Sequence, residues 1–432
     1  MNRKLIHWSW LALLLLLALA GCYADREQDR LPVLTNLAHL NHLFEEITLQ
    51  GEPVGIVHIY SEAPDYQWVA DADEGIACVD DAARAAVVYL RHFEVFRVPE
   101  SLRRARLLLR FILRMQATNG LFYNFIWADY SIHKDGPTTH NRLSWWTARA
   151  VWALGRGMEA FRHRDAAFAG QLQTSIERIF PHLDTLLQHY PQMQVVNGFE
   201  VPTWLLHGSA ADATSELLLG LSAYLRVNDS QRARAYAAHL AHGIRMMQLG
   251  DADTFPYGAL LSWQHIWHAW GNSQAWALLQ LSDVLENSGL LEPALLEIHH
   301  FYPYVVEKGF PRELVFSQPV REDNTELRYY EQIAYNIRPM FMAAVAAYRR
   351  TQNAELARMA VDVARWFWGR NPAKARMYDP ETGRGFDGII GKKRINTNAG
   401  AESTIEALMV MLELDADAGL KQIFLQQLDK PN

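Results

Sequence analysis

Only two cysteines, Cys22 and Cys78, occur in 432 residues, so a disulfide framework is excluded. No block of basic residues occurs either. Lys and Arg number 41 against 48 Asp and Glu, for a net charge of −7, which argues against a nucleic-acid partner. After the first residues there is no linker, low-complexity tract or charge run, and hence no visible domain boundary. Strand signals are few and short, Val54 to Tyr60 being one. Metal-ligand spacing is missing too: His265 and His268 are three apart and His299 and His300 adjacent, without a third ligand at a usual offset. Asp379, Glu381 and Asp387 lack the spacing of a calcium loop and read as a turn. Gly383, Gly385 and Gly388 formally satisfy G-x-G-x-x-G, but no strand leads into them as a dinucleotide fold requires, so no cofactor is expected.

What is present begins with Arg3 and Lys4, followed by the apolar run Leu11 to Ala20 and the sequence Leu19-Ala20-Gly21-Cys22. A short basic start, a short apolar core and small residues before Cys make a secretory leader rather than a membrane span. The LAGC ending resembles the bacterial lipobox. That resemblance implies cleavage before Cys22, acylation of Cys22 and a lipid-bilayer anchor in the cell envelope, and Tyr23 leans towards the outer membrane, facing the periplasm. The expected organisation is a signal peptide over 1–21, a polar tether over 22–31 and a single domain over 32–432. Cys78 reads as a buried small hydrophobe.

The stretch Asp73 to Leu90 puts four carboxylates, Asp73, Glu74, Asp80 and Asp81, at the start of a helix whose apolar pattern begins near Ala83. Acidic residues in a first turn face unpaired amides, so capping explains any one of them. Four exceed that need. The layout also repeats. Six times a loop rich in Gly, aromatic and polar residues leads into a long run of small and apolar residues, from Gly75, His140, His207, Leu260, Tyr329 and Asn396. These starts lie roughly 50 to 70 residues apart, the length of two helices and two loops. Helices apolar on nearly all faces are buried and helices with one charged face cover them, so six such pairs close into a ring. Parallel inner helices bring their amino-terminal ends to one mouth, with the first and sixth as neighbours.

Here the chain resembles the six-hairpin glycosidase-like proteins, and the segments MYDPETGRGFDGII and NTNAGAESTIEAL look like the closing motif of a bacterial group of carbohydrate-active proteins. The resemblance spans nearly the whole mature chain and is most specific over 68–85, 121–149 and 366–408. It implies an all-α (α/α)6 toroid with a few short strands in its loops, and an oligo- or polysaccharide as partner. Several enzyme classes share this toroid, so the resemblance does not name the reaction.

Hydrolysis of a glycosidic bond needs one carboxylic acid and one carboxylate. Glu402, in the first turn of the sixth helix behind the small residues Ala399 and Gly400, is one choice. Asp80 or Asp81 is the other. Neighbours on a helix point about 100° apart, so one of the two aims into the cavity and the other orients it. Asp73 and Glu74 are reserves, Glu331 could replace Asp81, and Glu406, one turn deeper than Glu402, is a support. Tyr123, Asn124, Trp127, Trp145, Arg149, Trp267, Tyr335 and Asn398 supply rings and polar groups suited to sugars, although large aromatics also fill cores. Lys392, Lys393 and Arg394 read as a solvated basic loop, or as a contact for an anionic sugar if they face the cavity. Two rivals remain: a polysaccharide lyase using Tyr123, His140, Arg149 and Lys393, and a saccharide-binding lipoprotein without turnover.

Overall fold

Alanine-rich helices can pack closely, and the computed structural model, which describes residues 31–428, shows a ring built from them. The leader, Cys22 and nearly all of the tether lie outside the described residues. The described residues from Thr35 onward belong to one compact unit. Among the described residues no helix is long and apolar enough to cross a membrane.

The inner helices are Val79–Phe96, Trp145–Phe161, Ala211–Leu225, Gln274–Val284, Ala334–Thr351 and Ala401–Ala416. Each packs on the next, and the sixth packs on the first, which closes the ring. Each is covered by the helix that follows it, such as Pro99–Arg114 over the first and Ala354–Ala364 over the fifth. The fourth cover is broken into Leu291–Leu296, a π-turn over Glu297–Phe301, and Tyr302–Glu307. The expected toroid is thus the observed one.

Composition explains the division of labour. In the first inner helix every residue but Asp80 is buried from Val79 to Leu90, and four alanines leave room for its neighbours. The cover Pro99–Arg114 opens with Pro at its first helical position and buries only one face, Leu108, Phe111 and Ile112 among its residues, leaving its arginines outside.

Small antiparallel hairpins sit in the loops between helices. Phe44–Leu49 pairs with Glu52–Val57, and Ala77–Cys78 pairs with Phe125–Ile126 at the mouth of the first helix. The apolar and aromatic run from Leu260 does not begin a helix as its spacing suggests. Ile266–His268 is instead a strand paired to Glu313–Val315, and the helix starts only at Gln274. His265 and His268 therefore do not share a helical face.

Gly75 carries the turn before the first helix at φ +82°, and a Cβ there would stand 2.2 Å from the Ile126 carbonyl oxygen. Replacing Gly75 by Ala should lower stability by about 2–4 kcal/mol, since both backbone strain and a clash follow. A denaturation midpoint unchanged in Gly75→Ala would contradict this.

Candidate active site

The first inner helix starts where Asn124 Oδ1 accepts the Asp80 N–H at 3.2 Å and the Cys78 sulfur accepts the Asp81 N–H at 3.3 Å. These caps fix the turn that presents both aspartates. The sixth starts at Gly400, whose N–H donates to Asp387 Oδ1 at 2.9 Å, and the Ser403 hydroxyl donates to the same oxygen at 2.6 Å. A Cβ on Gly400 would lie 2.8 Å from the Ile59 carbonyl, so only glycine lets the two segments meet.

Between these helix starts is a cavity of ≈ 440 Å³, lined by Glu74, Asp80, Asp81, Arg84, Glu331 and Glu402 among others. Arg84, one turn into the first helix and buried, is its keystone. Its Nη1 donates to Glu402 Oε2 and Glu406 Oε1, both at 3.0 Å, and its Nη2 to Asp81 Oδ1 at 2.7 Å. Arg338 on the fifth helix donates to the other oxygen of Glu406 at 2.6 Å, and reaches Ser273 at 3.3 Å and Glu216 at 3.4 Å. Arg149 on the second helix is paired with Asp80 Oδ2 and donates to the Tyr335 hydroxyl. The Tyr335 ring lies against the guanidinium groups of Arg84, Arg149 and Arg338, 4.8–5.3 Å from each. Side chains from all six hairpins thus meet in one buried network.

The carboxylates differ in what they can do. The Glu402 side chain is 41% exposed and Asp80 is 21% exposed, whereas Asp81 is 4% exposed and Glu406 fully buried. Asp80 Oδ1 has no hydrogen-bond partner among the described residues, while Oδ2 is held by Arg149. Burial pushes the Asp80 carboxyl up, but Arg149 and Arg84 outweigh it and hold the group below its ordinary range. Asp81 is raised to about 6 by burial, against the pull of Arg84 and with help from Asp80 and Glu402. Burial and the nearby aspartates raise the Cys78 thiol well above its usual value, so it is a capping group rather than a nucleophile.

A carboxyl raised in the folded state binds its proton more firmly there than in the unfolded chain. Its stabilisation is full below the unfolded value of 3.8 and is lost as pH rises through about 6. Asp81→Asn cannot lose that proton. Its stability relative to the parent should therefore improve between pH 4 and pH 7, by about 1–3 kcal/mol. Melting curves at the two pH values check this, and a constant difference would refute it.

The structure gathers Asp80, Asp81, Glu402, Glu74, Glu331 and Asn124 around the cavity. Glu74 accepts from the Tyr60 hydroxyl at 2.6 Å. Asn124 spends its amide on Thr138 and its oxygen on the helix cap, so it holds the mouth open rather than offering free polar atoms. Trp145 covers Arg149 at 5.1 Å. Other residues fall elsewhere. Trp267 is fully buried with its ring edge-on to Phe301, which corrects its reading as a ligand aromatic: the strand turns it into the core. Asp73 is exposed in a turn with its N–H on Asp71, Trp127 lies tilted against His133 with ring centroids 4.1 Å apart, and Tyr123 lies against Lys134. Asn398 accepts the Ala63 N–H at 3.0 Å and ties two loops together. Arg84 and Arg338 were not singled out in the sequence, yet a charge set among the small and apolar residues of an inner helix was the available signal.

A second cavity, ≈ 550 Å³, opens at the carboxyl-terminal ends of the inner helices. Its arginines are paired off, Arg91 and Arg349 with Glu413, Arg350 with Asp283, Arg156 with Glu94 and Arg226 with Glu159, so its charges largely neutralise one another.

No family model matches the sequence, and no curated protein does. Solved structures do match in fold. A sugar epimerase from a ruminal bacterium superposes with a TM-score of 0.61 at 14% identity, covering 90% of this chain and 98% of that one. Cellobiose 2-epimerase from Spirochaeta thermophila DSM 6192 gives 0.57 at 16% identity, over 86% and 91%. The glycoside hydrolase family 9 endoglucanase J30 gives 0.52 at 15% identity, over 85% and 76%. At such identities the likeness establishes architecture, and the chain has the six-hairpin, (α/α)6 toroid fold common to these proteins.

Proposed function

We propose that this protein is a carbohydrate-active enzyme that hydrolyses glycosidic bonds in an oligo- or polysaccharide. Asp80 supplies the ionised carboxylate and Glu402 the proton donor. The observation that carries this reading is the buried, unpartnered Oδ1 of Asp80, a residue that lines the same cavity as the half-exposed Glu402. Arg149 keeps Asp80 charged and fixes its other oxygen, which suits a base that holds water or a nucleophile that attacks the sugar. Asp81 has both oxygens engaged, by Arg84 and by the Cys78 thiol, and orients the arginine. Release of one new reducing end per bond cleaved, from a panel of glycans, tests the reading, and intact glycans throughout would end it.

Epimerases and isomerases are among the fold neighbours, and their chemistry moves a proton at carbon. A base for that step works best near neutral pH, where histidine is the usual residue. The residues lining this cavity include no histidine. His268 is buried nearby in sequence to the fourth helix, but one ring nitrogen is on Asp212 at 2.8 Å and the other on the Trp270 carbonyl at 2.8 Å. For a lyase, His140 and Lys393 are exposed and do not line the cavity, which disfavours that set.

The proposal extends to a lipid anchor at Cys22 that holds the enzyme at the cell envelope. Labelled palmitate should enter the parent protein and not Cys22→Ser. Equal labelling of both would refute the anchor.

A further inference from the structure

Next to the active-site cavity is a larger depression of ≈ 810 Å³ whose wall carries five cations, Lys308, Arg365, Arg370, Lys374 and Lys392, and no carboxylate. In a chain of net charge −7 such a concentration runs against the average. Just behind the wall, Glu322 pairs with Lys308 at 2.6 Å, and Asp362 pairs with Arg370 and, at 3.8 Å, with Arg365. Lys308, Arg365 and Arg370 are thus paired, which leaves Lys374 and Lys392 as the wall's remaining cations. Lys374 and Lys392 are exposed, and neither has a carboxylate partner among the described residues. Burial and the neighbouring Arg370 push the Arg365 guanidinium below its ordinary value, a mark of like charges held together. Phe310, Tyr329 and Tyr330 supply the apolar part of the wall.

The depression and the active-site cavity share a ridge. Gln332 and Ile389 exchange backbone hydrogen bonds of 3.1 and 2.8 Å, which joins the segment before the fifth helix to the hairpin Gly388–Gly391 with Arg394–Asn396. On one side of this ridge Glu331, Ile390 and Asn396 line the active-site cavity. On the other, Tyr330 and Lys392 line the basic depression. A glycan lying across the ridge would meet both.

We propose that the substrate is an acidic glycan, and that this depression holds its carboxylate- or sulfate-bearing units beside the bond cleaved at Asp80 and Glu402. The cleavage clause rests on the hydrolytic reading above, and the recognition clause does not. Guanidinium and ammonium groups give charge-assisted hydrogen bonds to such anions, while tyrosine rings match the flat faces of sugars. A neutral glycan would leave Lys374 and Lys392 without a carboxylate partner.

Titration calorimetry on the full-length Glu402→Gln protein separates the two clauses. The probes are a galacturonate oligosaccharide against its methyl ester, and a sulfated cello-oligosaccharide against the plain one. The charged member of at least one pair should bind about tenfold tighter at low salt, with the advantage shrinking as salt is added. Lys374→Ala with Lys392→Ala, both exposed and so harmless to folding, should cut that advantage about fivefold, and circular dichroism would confirm the fold. Equal or absent binding in both pairs, or an advantage that survives the double substitution, overturns the proposal. Charged preference without any cleavage by the parent would uphold recognition and remove hydrolysis. Cleavage confined to neutral glycans would do the reverse.

Discussion

Glu402→Gln and Asp80→Asn should each lower kcat for glycan cleavage by about a thousandfold while leaving glycan affinity within a few-fold of the parent. Each substitution keeps the shape of the side chain, but Glu402→Gln removes the transferable proton and Asp80→Asn the negative charge paired with Arg149. The two losses should differ in kind. An aryl glycoside with an acidic leaving group departs without protonation, so it should restore turnover to Glu402→Gln and not to Asp80→Asn. Added azide, a small anionic nucleophile, should rescue Asp80→Asn by forming a glycosyl azide of inverted anomeric configuration. Glutamine at 402 still accepts from Arg84, so the fold around the cavity should persist. Initial rates with both substrates decide the assignment. Rates within tenfold of the parent for both variants would remove Asp80 and Glu402 from the chemistry.

Arg84→Met should cost the folded state about 3–5 kcal/mol, the largest stability loss expected from any single substitution at the site. Arg84 is buried and satisfies Asp81, Glu402 and Glu406 at once. Methionine fills similar space but leaves Asp81 without its strongest partner and Glu406 dependent on Arg338. The orphaned carboxylates would then bind protons at higher pH than before. Acidification relieves them, so the deficit against the parent should narrow from pH 7 to pH 4. Arg84→Lys supplies a point charge without the fork and should recover only part of the loss. Chemical denaturation at both pH values tests this, and a deficit below about 1 kcal/mol would show that the network is not held by Arg84.

The toroid was legible because its signal is long-range and redundant: small-residue helices such as Val79–Phe96 and Ala401–Ala416 recur at regular intervals and can only be buried. The helix-terminal acids Asp80, Asp81 and Glu402 stood out for the same reason. Local alternation misled where helix and strand spacing overlap. His265, Trp267 and His268 fit a helical stripe, but the strand Ile266–His268 finds a partner in Glu313–Val315 that no local pattern announces. Side-chain direction was not readable either. Which of two adjacent aspartates faces the cavity depends on Arg149 and Arg84, one of them on another helix. The basic depression is assembled from Lys308, Arg370 and Lys392, which are far apart in sequence and form no motif. Charge clusters of that kind exist only after folding.

The contact between Arg84 and Glu402 joins residues 318 positions apart, because the ring is sealed by its first and last inner helices. Such long-range closure carries a large loop-closure cost and needs both ends of the domain to be present. During synthesis the amino-terminal half of the network would emerge long before Glu402 and Glu406 exist to meet it. Until then Arg84 has only Asp80 and Asp81, on its own helix, to neutralise it. A chain ending before the sixth inner helix would therefore keep Asp80 and Arg149 but lack Glu402, the proposed proton donor. Activity, on this view, doubles as a certificate that the whole chain has been made and the circle closed.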